Sequence, residues 1–394
     1  MDWPQLRTTG IAKGGAAIAR DGDGRVVFVR GALPDELVRA EIVDVKRDFS
    51  TADVREVIDP SPWRIEPPCP EVAAGCGGCD LQHASLDGQR ALKVRIVEDA
   101  LARVARVRDH PAVEVVSLPG IAYRSIVRGV VREGRFAFRR RASHDSIAIA
   151  SCLVAHPLLD ALIRDGAFDT TEEVTLRCGA VTGERLVLAS PNASGVAVAD
   201  DVVVVGRDEL RRGVEGFLHD DVAGVRFRIS AESFFQGRSD GATALVESVA
   251  GYLDDIAGDG LAIDLYAGVG LFAATALARW PAVLAVEQSA SSVADCRYNA
   301  PSARVVRGDV DKWKPEAASV VVADPSRKGL GPAAADRVVA TGAARVVLVS
   351  CDPAAFGRDV ALLHGRGYRL AALRMVDLFP QTSHVEVVSR FDRQ

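Results

Sequence analysis

Two residues in the last third of the chain have the types and settings that covalent chemistry needs. Cys351 ends the apolar run Val347-Leu348-Val349-Ser350 and is followed at once by the turn-forming Asp352-Pro353. Glu386 closes the string Phe379-Pro380-Gln381-Thr382-Ser383-His384-Val385. An ionised thiol is a strong nucleophile and a carboxylate accepts protons. A lone cysteine is by default a small buried hydrophobe. In doubly wound sheets, however, ligands bind beyond the carboxyl ends of the strands, and Cys351 stands at such an end.

Upstream, Asp264-Leu265-Tyr266-Ala267-Gly268-Val269-Gly270-Leu271-Phe272-Ala273 holds the spacing G-x-G-x-x-A. Alone this is a weak dinucleotide fingerprint. Its glycines let a ligand approach the backbone where a strand meets a helix. Asp264 would repel a pyrophosphate and welcome a cationic amino-acid group. Glu287, ending the next apolar run, suits the paired hydroxyls of a ribose. Together they favour S-adenosylmethionine over NAD. Asp324, in Val322-Ala323-Asp324-Pro325-Ser326-Arg327-Lys328-Gly329, follows a further apolar run and is expected to face the same site.

A separate constellation is Cys69-x6-Cys76-Gly77-Gly78-Cys79. Thiolates separated by tight glycines can close around an iron–sulfur cluster or a zinc ion. Three thiolates need a fourth, and Cys152, Cys178 and Cys296 are available; Cys152 is the choice.

Elements of three kinds must position these groups. Residues 1 to about 60 read as short strands broken by Asp21-Gly22-Asp23-Gly24 and Gly31-Ala32-Leu33-Pro34, which predicts a small closed barrel. Pro60, Pro62, Pro67, Pro68 and Pro70 mark a boundary. Leu92, Ile96, Val97, Leu101 and Val104 recur at helical spacing, predicting a helix from about Gln89 to Arg106. Strand-like pieces and short helices then alternate to about residue 228. From 229 onward strands alternate with helices, including one from Leu271 to Arg279, which predicts a doubly wound parallel sheet. The expected division is 1–62, 63–228 and 229–394, with the helix at 88–108 free to pack on the last part.

The chain has 394 residues and a formal net charge of −5, which argues against nucleic acid as a partner. The average conceals a local excess: Asp87 to Asp145 holds 13 Lys plus Arg against 7 Asp plus Glu, with Arg124, Arg128, Arg132, Arg135, Arg139, Arg140 and Arg141 crowded at its end. Such a run is either a solvated face or a phosphate-binding patch. No apolar stretch is long enough for a membrane span. Met1-Asp2-Trp3-Pro4 lacks the basic start and apolar core of a signal peptide, so a cytoplasmic protein is expected; a monomer is the separate expectation for its assembly.

These strings, taken in order, resemble the RNA uracil-5-methyltransferases, in particular the iron–sulfur type with an N-terminal TRAM domain that modifies 23S ribosomal RNA. Gly10-Ile11-Ala12-Lys13-Gly14-Gly15 through Val38 looks like TRAM, an OB-like barrel associated with RNA. Cys69, Cys76, Cys79 and Ser151-Cys152-Leu153 resemble the [4Fe–4S] ligands. Ser233-Phe234-Phe235-Gln236 and the strings around Asp264, Asp324, Cys351 and Glu386 resemble the methyltransferase motifs. The resemblance implies a multidomain α/β fold: a TRAM barrel, a central α+β domain with the cluster, and a class I, Rossmann-like methyltransferase domain. It implies Cys351 as the nucleophile at uracil C6 and Glu386 as the base for the C5 proton. Gln236, Asp264, Tyr266, Gly268, Gly270, Glu287, Asp309 and Asp324 become the cofactor-binding set. The site is expected to lower the Cys351 pKa, since a free thiol is mostly protonated at neutral pH. Two positions depart from the family pattern. Arg238 replaces an asparagine, and Ser350-Cys351-Asp352-Pro353-Ala354-Ala355 replaces Ser-Cys-Asn-Pro-x-Thr. The alternatives are a tRNA enzyme of the same mechanism, a methyltransferase for another base, a non-catalytic RNA-binding protein and an NAD-dependent oxidoreductase.

Overall fold

A computed structural model describes residues 3–141 and 143–394; Met1, Asp2 and Ala142 lie outside the described residues, and with them the very start of the leader reading. The N-terminal strands Gln5–Ile11, Ala17–Arg20, Val26–Arg30, Leu37–Val45 and Phe49–Asp59 close into a five-stranded barrel. Its alternating pattern points Leu6, Val27, Val29, Val38, Ala40 and Ala52 inward, as a period-two strand facing one core must.

The middle of the chain forms a six-stranded sheet around Glu173–Cys178, backed by the helix Pro157–Asp165. Phe136, Leu159, Leu162, Phe168 and Leu176 fill its core.

The C-terminal part is an eight-stranded sheet. Its order is Arg304–Arg307, Ala282–Glu287, Leu261–Leu265, Val320–Ala323, Arg345–Ser350, Val387–Arg393, Tyr368–Val376 and Val113–Val116. The first five strands run parallel, and all of Val320–Ala323 and Arg345–Ser350 is buried, as expected for strands covered on both faces. The sheet is not wholly parallel, however. Val387–Arg393 is antiparallel to both its neighbours, because the short connection 377–386 from Tyr368–Val376 turns the chain straight back.

Two further differences from the sequence reading concern helices. Leu271 to Arg279 is a series of turns rather than a helix. Its backbone bonds mix three-, four- and five-residue spacings, and the Ala273 N–H donates to the Asp264 carboxylate at 2.9 Å. The predicted helix near Gln89 spans Leu86–Ala100 and continues as a wider turn over Leu101–Ala105. It buries Leu92, Ile96, Val97 and Leu101 in the core that also holds Leu348, Phe356, Val360 and Met375. Each such side chain contributes roughly 1.5–3 kcal/mol. The helix and the edge strand Val113–Val116 therefore pack with the C-terminal sheet, although they precede the middle sheet in the chain. No helix among the described residues is long and apolar enough to cross a membrane.

Candidate active site

A cavity of about 640 Å³ opens at the carboxyl ends of the parallel strands. Register explains its walls. Tyr266 follows Leu261–Leu265, Asp324 follows Val320–Ala323, and Cys351 follows Arg345–Ser350, three adjacent strands. Ser350 pairs with Val387 across the antiparallel ladder, so Cys351 and Glu386 stand one step beyond that pair, opposite each other. Tyr266, Asp324, Cys351 and Glu386 all line the cavity, with Gln236, Gly268 and Glu287.

The glycine turn is held from below. Asp264 is fully buried, outside the lining, with Oδ2 accepting from Ala273 and Oδ1 without a partner. Gly270 has φ +91°, and a Cβ there would come 2.9 Å from Cys296 Sγ. Gly268, at φ +54°, borders open space instead. Tyr266 adopts the left-handed φ of +61°, a strained choice for an aromatic residue. The Glu287 carboxylate accepts from Gly268 N–H at 3.0 Å and Ser289 N–H at 2.7 Å. Its remaining lone pairs are available to a ligand. Asp309 lies outside this cavity and lines an adjoining one of about 350 Å³, which shares Tyr266, Glu287, Gln288 and Ser326 with the first.

The segment carrying Glu386 is clamped by parts of the chain far away in sequence. Asp80 accepts from Ser383 N–H and Oγ at 2.7 and 2.8 Å. Gln89 Oε1 accepts from Gln381 N–H at 2.7 Å, fixing a residue with φ +68°. Lys93 donates to Asp377 at 2.6 Å, an ion pair buried on both sides. Tyr123 donates its hydroxyl to Pro380 O at 2.8 Å. On the other side, Asp352 caps the helix Pro353–His364 by accepting from Ala355 N–H at 3.0 Å. Lys13 of the barrel pairs with the same carboxylate, so the barrel reaches the residue next to Cys351.

Burial pushes the Cys351 thiol up to about 12, reinforced by the charges of Glu386 and Asp324 and opposed by Arg327. The expected lowering is thus reversed in the protein alone, chiefly by burial and further by the neighbouring carboxylates. Burial also raises Glu386 and Asp324, and the charge of Asp324 adds to the rise at Glu386. Such a pair retains a proton near neutrality. Gln236 Nε2 donates to Asp324 Oδ2 at 3.2 Å. Asp264 is pushed up to about 8, chiefly by burial, against the Ala273 hydrogen bond.

Several lining residues were not singled out from the sequence. Arg327 is the cation that favours the Cys351 thiolate; it stood inside a string noted for Asp324. Phe234 is among the lining residues and is 68% exposed, and Phe379 meets His384 edge-on at 6.0 Å between centroids. Arg238 is absent from the lining. It is fully buried, donates to Asp240 at 2.7 and 2.6 Å and to Pro119 O at 3.1 Å, and stacks over Tyr123. Its departure from the family pattern is therefore one of packing behind the site.

Cys69, Cys76, Cys79 and Cys152 line one small cavity of about 40 Å³ with apolar walls that include Val127, Phe138 and Ile149. Cys178 and Cys296 are buried in other cores. Among the described residues no group of His, Cys, Asp or Glu is arranged to hold a single metal ion.

Residues 7–54 match the TRAM domain family. An uncharacterized RNA methyltransferase of Streptomyces avermitilis is 34% identical over 96% of this chain and 95% of its own length. Another, from Gloeobacter violaceus, is 32% identical over 98% of this chain and 95% of its own. Among solved structures, the Pyrococcus abyssi tRNA (uracil-54, C5)-methyltransferase in complex with S-adenosyl-L-homocysteine superposes with a TM-score of 0.74 at 22% identity, covering 98% of this chain and 100% of that one. That likeness establishes a common fold along the whole chain. With relatives of this identity over nearly its full length and a strand-end cavity to match, the chain belongs to the RNA methyltransferase family.

Proposed function

We propose that the protein methylates C5 of a uridine in RNA through a covalent adduct at C6, with S-adenosylmethionine as methyl donor. The carrying observation is the pairing of Cys351 with Glu386 at facing strand ends in one cavity, beside the glycine turn. The donor fits the residues present. Gly268 leaves room at the turn, Glu287 is pre-set by two backbone N–H groups, and Asp309 lines an adjoining space. Bound there, it supplies an electrophilic methyl carbon on a sulfonium sulfur.

The chain's own groups then act in sequence. The Cys351 thiol ionises, its proton leaving to solvent, with Arg327 favouring the anion. Sγ bonds to C6, and the C5–C6 π pair moves to C5 and O4. A carboxyl of the Asp324–Glu386 pair in its protonated form can hydrogen-bond the developing oxyanion. C5 would take the methyl group that the bound donor supplies, the methyl–sulfur bond breaking with its electron pair kept on sulfur as a neutral thioether. Glu386, as carboxylate, removes the C5 proton, C5=C6 re-forms and the S–C6 bond breaks, returning the thiolate. Phe234 in the lining offers a face on which an unstacked base can rest.

The four cysteines fit a [4Fe–4S] cluster better than one zinc ion: four thiols surround a void with apolar walls instead of converging on a point. Cys69, Cys76, Cys79 and Cys152 would hold it. Since the neighbouring Asp80 clamps Ser383, such a cluster would stiffen the segment carrying Glu386.

Ribosomal RNA in the cytoplasm is the preferred substrate, supported by the resemblance of the barrel and cysteines together to the 23S-modifying type; tRNA is the second reading, supported by the whole-chain structural likeness. Mass-spectrometric mapping of 5-methyluridine in rRNA and tRNA from a deletion strain and its complemented parent tests both. A 5-methyluridine lost from 23S rRNA and restored by the gene is expected. Unchanged 5-methyluridine in both RNAs would overturn the uracil reading.

A further inference from the structure

The arginines between 124 and 141 fall into two sets. Arg132 donates to Ser146 O at 2.9 Å, Arg140 to Ala74 O at 2.7 Å, Arg141 to Cys79 O at 3.0 Å, and Arg135 to the carbonyls of Arg164 and Gly166. These four tie backbone segments together; Arg139 has a longer bond of the same kind, to His144 O at 3.4 Å. The other three, Arg124, Arg128 and Arg139, line a single groove of about 320 Å³.

That groove has a single carboxylate in its lining, Glu173, which stands 3.7 Å from Arg139. Three guanidinium groups against one acid make it a site for an anion. Arg128 has only a long bond to Thr175, at 3.3 Å from Nε. Arg124 Nε is buried and has no partner among the described residues. Arg124 also lines the catalytic cavity, so the groove and the cavity meet at that side chain. The strands carrying Arg128 and Arg139 are neighbours in the middle sheet, which holds the charges in a fixed array.

We propose that this groove binds the RNA backbone phosphates next to the target nucleotide, with Arg124 standing between the phosphates and the base cavity. The proposal rests on the RNA reading above. A base drawn into the cavity brings its own sugar–phosphate chain to the mouth, and the phosphates then need charge partners there. Arginine suits the task because its planar fork can grip two phosphate oxygens at once. The four arginines bonded to carbonyls hold the groove in shape.

The test measures the affinity of a fluorescently labelled, uridine-rich single-stranded RNA by anisotropy over a series of KCl concentrations. Arg128→Gln and Arg139→Gln are each expected to weaken binding about 10-fold and to lower the log–log salt slope by about 0.7. The double variant should lose about twice that slope. Glu173→Gln should tighten binding, and Arg128→Lys should keep the slope while losing part of the affinity. Binding of S-adenosylhomocysteine should be unchanged in all five, which also shows that they fold. Wild-type affinity and slope in the double variant would overturn the groove assignment. So would a double variant that loses binding to an acidic peptide but not to RNA. The readout does not depend on methyl transfer: methylation of another base, with the slope change intact, would sink the uracil reading and leave the groove standing.

Discussion

The protein keeps two thiol pockets on either side of one arginine. Arg124 lines both the catalytic cavity and the four-cysteine cavity. Burial raises the thiols in each: Cys351 to about 12, Cys79 to about 11, and Cys76 and Cys152 in the same direction. The neighbours differ. Cys351 stands in the larger cavity with two carboxyls, whose charges add to the rise that burial causes. Cys79 and Cys152 sit among other thiols in a tight apolar space, where Arg124 opposes their rise. The same functional group thus has carboxyl neighbours in one pocket and thiol neighbours in the other, the contrast on which the proposed roles rest.

The largest effect expected is at the nucleophile. Cys351→Ala should lower methyl transfer by about 10⁴-fold or more while RNA affinity is kept, measured by single-turnover transfer and anisotropy. A variant that still methylates uracil would remove the contrast between the pockets. Glu386→Gln should cost about 10²–10⁴-fold and trap a protein–RNA adduct that survives a denaturing gel. Absence of the adduct would mean that another group takes the C5 proton.

Changes on the other side should act through structure. If the proposed cluster is bound, Cys152→Ala should abolish iron binding and lower the melting temperature by several degrees, with RNA methylation declining only as far as the Asp80–Ser383 clamp loosens. Iron content and calorimetry measure this, and unchanged iron would exclude Cys152 as a ligand. Asp264→Asn probes burial without a thiol. The folded carboxyl titrates near 8 against about 3.9 when unfolded. Its raised value means that the contribution of Asp264 to stability is fully present below about pH 4, declines as pH rises to about 8, and is flat above. The variant should therefore melt higher than the parent at pH 8 and match it near pH 4. The smallest effect is that of Lys13→Ala. Lys13 is 64% exposed, so its pair with Asp352 contributes about 1 kcal/mol or less. Although burial alone would raise Asp352, Lys13 and the Ala355 and Ala354 N–H groups hold it below its ordinary value. The loss should appear in neutral melts and vanish as pH falls through the acid range.

The strands of the barrel and of the parallel sheet were legible because their signals are local: glycine and aspartate turns, period-two alternation and apolar runs. Leu271–Arg279 was misread because its apolar residues suit a helix, while the Asp264 carboxylate and mixed-length turns decide the backbone. The expected drop in the Cys351 pKa failed for a similar reason, since both the burial that chiefly raises it and the carboxylates that add to the rise come from other strands. Arg327 and Phe234 lay inside strings noted for their neighbours, with nothing local to say that they face the cavity.

By itself the sequence determined which residue types were available and roughly which local elements would carry them. A thiol at a strand end, an acid before the last strand, a glycine turn, a cysteine cluster and an arginine run are all one-dimensional patterns. Only the tertiary structure decided which of them meet. The antiparallel return of Val387–Arg393 sets Glu386 opposite Cys351, the Leu86–Ala100 helix fastens the segment between them, and three of seven arginines are left to face a groove. Local preference is set by neighbours in the chain, whereas pairing across strands is set by the burial of whole faces, and that depends on every element at once.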